Sequence, residues 1–92
     1  MIKVEKVTAV RGYLAREFPG AEIRDRYDSG RRAQFFEVGS GSSCHKVIVS
    51  GEFLEDHAED EIPKLLKRFL LVEHLRECTL PIIVTNDGLK AD

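Results

Sequence analysis

The stretch that decides the fold is residues 21–50, AEIRDRYDSGRRAQFFEVGSGSSCHKVIVS. Its apolar and β-branched residues form three short segments separated by turn residues, as in neighbouring β-strands, over about 21–27, 32–38 and 44–50. The turn residues Asp28-Ser29-Gly30 separate the first two, and the glycine there can take a positive φ angle. Residues 39–43, Gly-Ser-Gly-Ser-Ser, predict a flexible connector before the third segment. The stretch therefore predicts an antiparallel three-stranded meander.

Helical periodicity appears on both sides of this meander. Over residues 3–18 apolar side chains recur every three or four positions, which predicts a first helix that ends at Pro19-Gly20. After the meander, Ser50 is a suitable N-cap for a short helical turn. An apolar stripe over residues 62–70 is followed by a stripe on a different helical face. We therefore predict a break near 69–71 and two consecutive helices.

A final strand, Leu-Pro-Ile-Ile-Val-Thr, is predicted over about 80–85. Pro81 near its start cannot donate a ladder hydrogen bond, which favours a strand at the edge of the sheet. A turn over 86–88 follows, and residues 89–92 are expected to form a flexible tail. The predicted fold class is α+β with two layers in the order α-β-β-β-α-α-β. It has an antiparallel three-stranded meander, helices on one face and a short C-terminal edge strand. A chain of 92 residues forms one domain, 1–92.

Composition places the chain among globular proteins, since hydrophobic residues make up 42% and charged residues 33% of it. Charges at every second or third position of the first six residues exclude the apolar region of a signal peptide. No apolar run approaches the roughly 20 residues that span a bilayer. We therefore expect no membrane association and a cytoplasmic location, in which Cys44 and Cys78 are reduced thiols.

Charge is divided unevenly along the chain. Residues 1–32 carry eight basic and five acidic side chains, whereas residues 33–92 carry six and eleven. Four arginines lie in and around the first hairpin, namely Arg24, Arg26, Arg31 and Arg32. Arginines on a β-ribbon beside aromatic residues can contact phosphates and bases, so these four are candidate nucleic-acid contacts. The pI of about 5.9 favours the other interpretation, in which they pair with acids across the hairpin.

The element order α-β-β-β-α over about residues 3–70 resembles that of the double-stranded-RNA-binding domain. That family places a Gly-Pro-x-His type loop between its first two strands, whereas this chain has Asp28-Ser29-Gly30. The family also has a lysine cluster at the start of its last helix, where this chain has the acidic segment 60–64. The resemblance therefore implies the element order and not the function.

Metal-binding and catalytic patterns are weak. His74 and Cys78 are four residues apart, so they could share a helical face, and Cys44 or His57 would supply a third ligand. This spacing lacks the paired cysteines of known zinc sites. The glycine-rich segment 39–43 precedes a strand rather than a helix, unlike a phosphate-binding loop. We expect no metal, no cofactor and no enzymatic activity.

Association with another protein is the function that we expect from the sequence. The second apolar stripe and one side of the last strand present more apolar surface than a small sheet needs for its core. The residues concerned are Leu71, Leu75, Ile82 and Val84. We therefore expect a small non-enzymatic protein-interaction module that uses these four residues to contact a second copy of itself, as a homodimer, or another protein. The alternative is a weak nucleic-acid-binding domain that uses the arginine-rich first hairpin.

Overall fold

Four helices and a five-stranded mixed sheet make up the part of the chain that the structure describes. The structure is a computed structural model, and it describes residues 2–77 and 80–91, without the side chain of Ser40. In chain order the elements are α1 (Val4–Glu17), β1 (Glu22–Asp28), β2 (Ala33–Ser40), β3 (Ser43–Ser50), α2 (Gly51–Asp56), α3 (Ile62–Arg68), α4 (Leu71–Glu77), β4 (Ile82–Thr85) and β5 (Gly88–Ala91).

The strands lie side by side in chain order, β1-β2-β3-β4-β5. Neighbouring pairs are antiparallel except β3 and β4, which are parallel. A parallel pair needs a crossover connection, and α2, α3 and α4 supply it. The predicted α+β class, with its antiparallel meander and helices on one face, is confirmed.

Residue alternation divides the sheet into two faces. Along β2, Phe36 and Val38 are fully buried against the helices, while Phe35 and Glu37 point to the opposite side. Each helix contributes buried apolar residues to the core above Phe36 and Val38, for example Leu14, Phe53, Leu66 and Leu75. We call the opposite side the uncovered face. Strand register assigns to it Glu22, Arg24, Arg26, Phe35, Glu37, Cys44, Lys46, Ile48, Ile83 and Lys90.

The predicted break between the last two helices is confirmed. The helix α3 ends at Arg68, and α4 begins at Leu71. Between them Leu70 has a φ angle of 60°, a left-handed conformation that a continuing helix does not contain. The predicted N-cap is confirmed as well, because the Ser50 hydroxyl accepts a hydrogen bond from the Phe53 N–H at 3.4 Å.

Three predictions at the ends of strands are wrong: the flexible tail, the edge position of β4 and the flexible connector before β3. The expected flexible tail is strand β5 in the described residues, and it pairs with β4, so β4 lies inside the sheet rather than at its edge. The turn between them is held by the Thr85 hydroxyl, which donates to the Gly88 carbonyl and accepts from the Asp87 N–H, both at 3.1 Å.

The expected flexible connector is a two-residue turn, because β2 and β3 stay paired up to Ser40 and Ser43. Gly41 has a φ angle of 62° at the first turn position, where glycine is favoured.

Tyr13 gives the core a sensitivity to alkaline pH. Burial, together with the charges of Glu17 and Glu73, raises the pKa of its phenol to about 12. An unfolded tyrosine has a pKa of about 10, so the unfolded chain releases this proton first as the pH rises. The contribution of Tyr13 to stability is therefore complete below pH 10 or so and is lost between about pH 10 and 12.

We expect wild-type protein to lose unfolding free energy more steeply than Tyr13→Phe across that interval. Urea titrations at several pH values measure both slopes, and lysine deprotonation affects the two proteins equally. Equal slopes for the two proteins would contradict a raised pKa for the Tyr13 phenol.

Candidate functional site

The four hydrophobic residues predicted to contact a partner lie in the core of the chain. Leu71, Leu75, Ile82 and Val84 are each at most 3% exposed and belong to one apolar cluster. Two of them lie on the face of α4 that packs on the sheet, and the other two lie in β4 between β3 and β5. They cannot provide the contact surface predicted for them, because their own chain already covers them.

The arginine-rich hairpin is exposed, and its arginines point in two directions. Arg24 and Arg26 alternate along β1 and lie on the uncovered face. Arg31 and Arg32 belong to the turn between β1 and β2. The Asp28 carboxylate shapes this turn, since it accepts from the backbone N–H groups of Gly30 at 2.9 Å and Arg31 at 3.3 Å.

Phe35 is the centre around which three of these arginines gather. The Arg26 guanidinium carbon lies 4.5 Å from the centre of the Phe35 ring, and that of Arg31 lies 5.8 Å from it. Both distances are within the range of a cation–π contact. Arg24 lines a depression of about 230 Å³ beside the same ring and forms an exposed ion pair with Glu22 at 3.0 Å. A guanidinium held over a ring keeps its N–H edge available for carboxylates or phosphates.

A row of apolar residues crosses the uncovered face from Phe35. Phe35 pairs with Ile48 on β3, and Ile48 pairs with Ile83 on β4. Phe35 and Ile83 are half-buried, and Ile48 between them is buried. Arg26 borders the row at one end and Lys90 at the other. Phenylalanine and arginine are enriched in protein interfaces, and this surface combines both with aliphatic side chains.

Sequence reasoning missed the two isoleucines of this row. Val47-Ile48-Val49 predicts a strand that is covered on both sides, and alternation alone places Ile48 opposite its neighbours. The signal that separates the faces is the register with Phe35, which depends on the length of the turn at Gly41. Ile83 was likewise within a recognised strand, but its side of the sheet depends on pairing with β3.

The candidate metal ligands were Cys44, His57, His74 and Cys78. In the described parts of the chain, no group of three or more His, Cys, Asp or Glu residues is placed to hold a metal ion. His57 Nε2 lies 3.0 Å from the Asn86 amide oxygen, and His74 Nδ1 lies 2.8 Å from the Leu70 carbonyl oxygen. Cys44 is a free, exposed thiol on the uncovered face. Cys78 lies outside the described residues.

Comparison with protein-family models, with curated proteins and with solved structures found no match. No helix within residues 2–77 and 80–91 is long and apolar enough to cross a membrane.

Proposed function

We propose that this domain is a non-enzymatic protein-interaction module that forms a homodimer through the uncovered face of its sheet. The observation that carries the proposal is the half-buried pair Phe35 and Ile83, which flank Ile48 on the side of the sheet opposite the helices. Packing this row against a second copy would remove the remaining apolar surface from water. The arginines around Phe35 would then border a central apolar contact, as in many protein interfaces.

The mixed charges of this face favour a second copy over a nucleic acid. Arg24, Arg26, Lys46 and Lys90 share it with Glu22 and Glu37. In a two-fold symmetric dimer, if one residue contacts a second residue of the other copy, the reverse contact is made as well. A face that carries both basic and acidic residues can therefore form ion pairs with the same face of a second copy. A phosphate backbone, in contrast, would gain from the basic side chains but be repelled by the two glutamates.

A cytoplasmic location belongs to the same proposal. The exposed free thiol of Cys44 supports it, because thiols stay reduced in that compartment.

Charge substitutions on the two faces of the molecule test the dimer. We expect wild-type protein to sediment as a dimer, and Phe35→Glu and Ile83→Glu to sediment as folded monomers, because each places a charge in the apolar contact. Val4→Glu is the matched control, since Val4 is 68% exposed on helix α1 on the other side of the sheet, and it should remain dimeric. Analytical ultracentrifugation measures the mass, and circular dichroism confirms that each variant is folded.

Dimerisation should also persist at about 1 M NaCl, where charges are screened beyond roughly 3 Å and the apolar contact is not weakened. A monomeric wild type, or a dimer that both glutamate variants preserve, would contradict the proposal.

Nucleic-acid binding remains the second candidate, favoured by the guanidinium of Arg26 over Phe35. The same preparations distinguish it when a fluorescent single-stranded oligonucleotide is added and its anisotropy is followed. Binding that disappears both at high salt and in the double variant Arg24→Gln/Arg26→Gln would replace the dimer as the function of this face.

A further inference from the structure

A polar cleft lies on the other side of the arginine-rich turn from Phe35. It has a volume of about 530 Å³, within the range of small-molecule sites, and its lining includes Tyr27, Arg31, Arg32, Glu52 and Glu55. One wall is the turn between β1 and β2, and the opposite wall is helix α2. The apolar residues that carry the dimer proposal, Phe35, Ile48 and Ile83, do not line this cleft, whereas Arg31 lines it and also contacts Phe35.

The two walls are joined by backbone contacts. The Gly51 N–H at the start of α2 donates to the Arg32 carbonyl at 2.9 Å. Gly51 allows this close approach because it lacks a side chain; a Cβ atom there would lie 2.6 Å from the same carbonyl oxygen. The Asp28 carboxylate holds the turn from the other end. The cleft is therefore formed before any ligand arrives, which lowers the entropic cost of binding.

The charges of the two walls have opposite signs. Arg31 and Arg32 lie on the turn, and Glu52 and Glu55 lie on α2. The glutamates are three residues apart in the helix and so share one face of it. No ion pair joins Arg32 to either glutamate in the described part of the chain. The cleft thus offers a cationic and an anionic wall to a ligand that carries both charges itself.

We infer that this cleft binds a small zwitterion with a free ammonium and a free carboxylate group, either an amino acid or a short peptide. The Arg32 guanidinium would hold the carboxylate through its planar pair of N–H donors. Glu52 and Glu55 would hold the ammonium group. The ring of Tyr27, which is partly exposed in the cleft, would add a cation–π contact.

Three related dipeptides separate the two charges. The probes are alanyl-alanine, its N-acetyl form, which keeps only the carboxylate, and its C-terminal amide, which keeps only the ammonium group. Isotope-labelled protein is titrated with each, and amide shifts of Arg32 and Gly51 report on the cleft. Alanyl-alanine is expected to bind at least about fivefold more tightly than either singly charged form, a difference of roughly 1 kcal/mol.

Variants assign each pole to its residues. Arg32→Gln should weaken alanyl-alanine and the N-acetyl form by about fivefold and leave the amide unchanged. Glu52→Gln/Glu55→Gln should weaken alanyl-alanine and the amide and leave the N-acetyl form unchanged. Arg24→Gln, which changes an exposed arginine outside the cleft, is the matched control and should bind all three like wild type.

Two results would overturn the inference. One is equal affinity for the three peptides. The same holds if the Arg32 and Gly51 amides show no shift up to about 20 mM peptide, because the dissociation constant would then lie well above about 1 mM. The other is zwitterion binding that neither cleft variant weakens. Ile83→Glu tests the dimer at a position outside the cleft lining, so failure of this inference is distinguishable from failure of the dimer proposal.

Discussion

Leu75→Asp is expected to unfold the domain rather than to produce a folded monomer. Leu75 is 1% exposed in the core cluster, where α4 packs on the sheet. Removing a buried leucine side chain costs about 2–5 kcal/mol, and burying an unpaired carboxylate adds several more. A domain of this size has a free energy of unfolding of only about 5–10 kcal/mol, so the folded state would lose most of its advantage.

Leu70→Asp is the matched control for this substitution. Leu70 lies five positions earlier, between α3 and α4, and is 52% exposed. The same leucine-to-aspartate change there should alter the free energy of unfolding by about 0.5 kcal/mol or less. Circular dichroism and thermal melts compare the two. A Leu75→Asp protein that melts like Leu70→Asp would show that α4 does not pack in the core as described.

Gly51→Ala is the second substitution with a large expected effect. The added Cβ atom would lie 2.6 Å from the Arg32 carbonyl oxygen, which is backbone and cannot rotate away like a side chain. The clash forces the turn between β1 and β2 away from α2 and breaks the hydrogen bond from Gly51 to Arg32. Overpacking and the lost bond together should cost about 2–4 kcal/mol.

Gly12→Ala is the matched control: it is the same glycine-to-alanine change, but it should stabilise the protein. Gly12 lies within α1, and apart from its chain neighbours and the backbone of its own helix no atom lies within 4 Å of the position a Cβ would take. Alanine in a helix interior should raise the free energy of unfolding by about 0.5–1 kcal/mol. Urea denaturation measures both variants. If Gly51→Ala is as stable as wild type, the close contact between the turn and α2 does not exist in solution.

Features that depend on local patterns were predictable from the sequence. The first helix and the three strands of the meander follow from the spacing of apolar residues, and the structure places their ends within about two residues of the predicted limits. The change of apolar face after residue 70 predicted the break before α4. These signals are contained within one element, so no knowledge of the other elements is needed to interpret them.

Features that depend on pairing between separate elements were not predicted from the sequence. The strand β5 has the sequence Gly-Leu-Lys-Ala, which lacks β-branched residues and becomes a strand only through its hydrogen bonds with β4. The apolar stripe at Leu71 and Leu75 predicted that something covers it, but a sequence pattern does not say whether the cover belongs to the same chain. The uncovered face likewise depends on which residues of β2 and β3 lie opposite each other.

The Arg11 side chain of α1 affects whether a further strand can pair with the edge of this sheet. Arg11 forms an ion pair with Asp25 and donates from Nη2 to the Ile23 carbonyl at 2.7 Å, while the Gln34 amide donates to the same carboxylate at 3.1 Å. The strand β1 is an outer strand, whose unpaired peptide groups could template strand addition and aggregation. The guanidinium occupies the Ile23 acceptor, so an incoming strand would have to displace it before pairing. A helix residue thus hinders strand addition at β1, while the uncovered face of the sheet stays accessible.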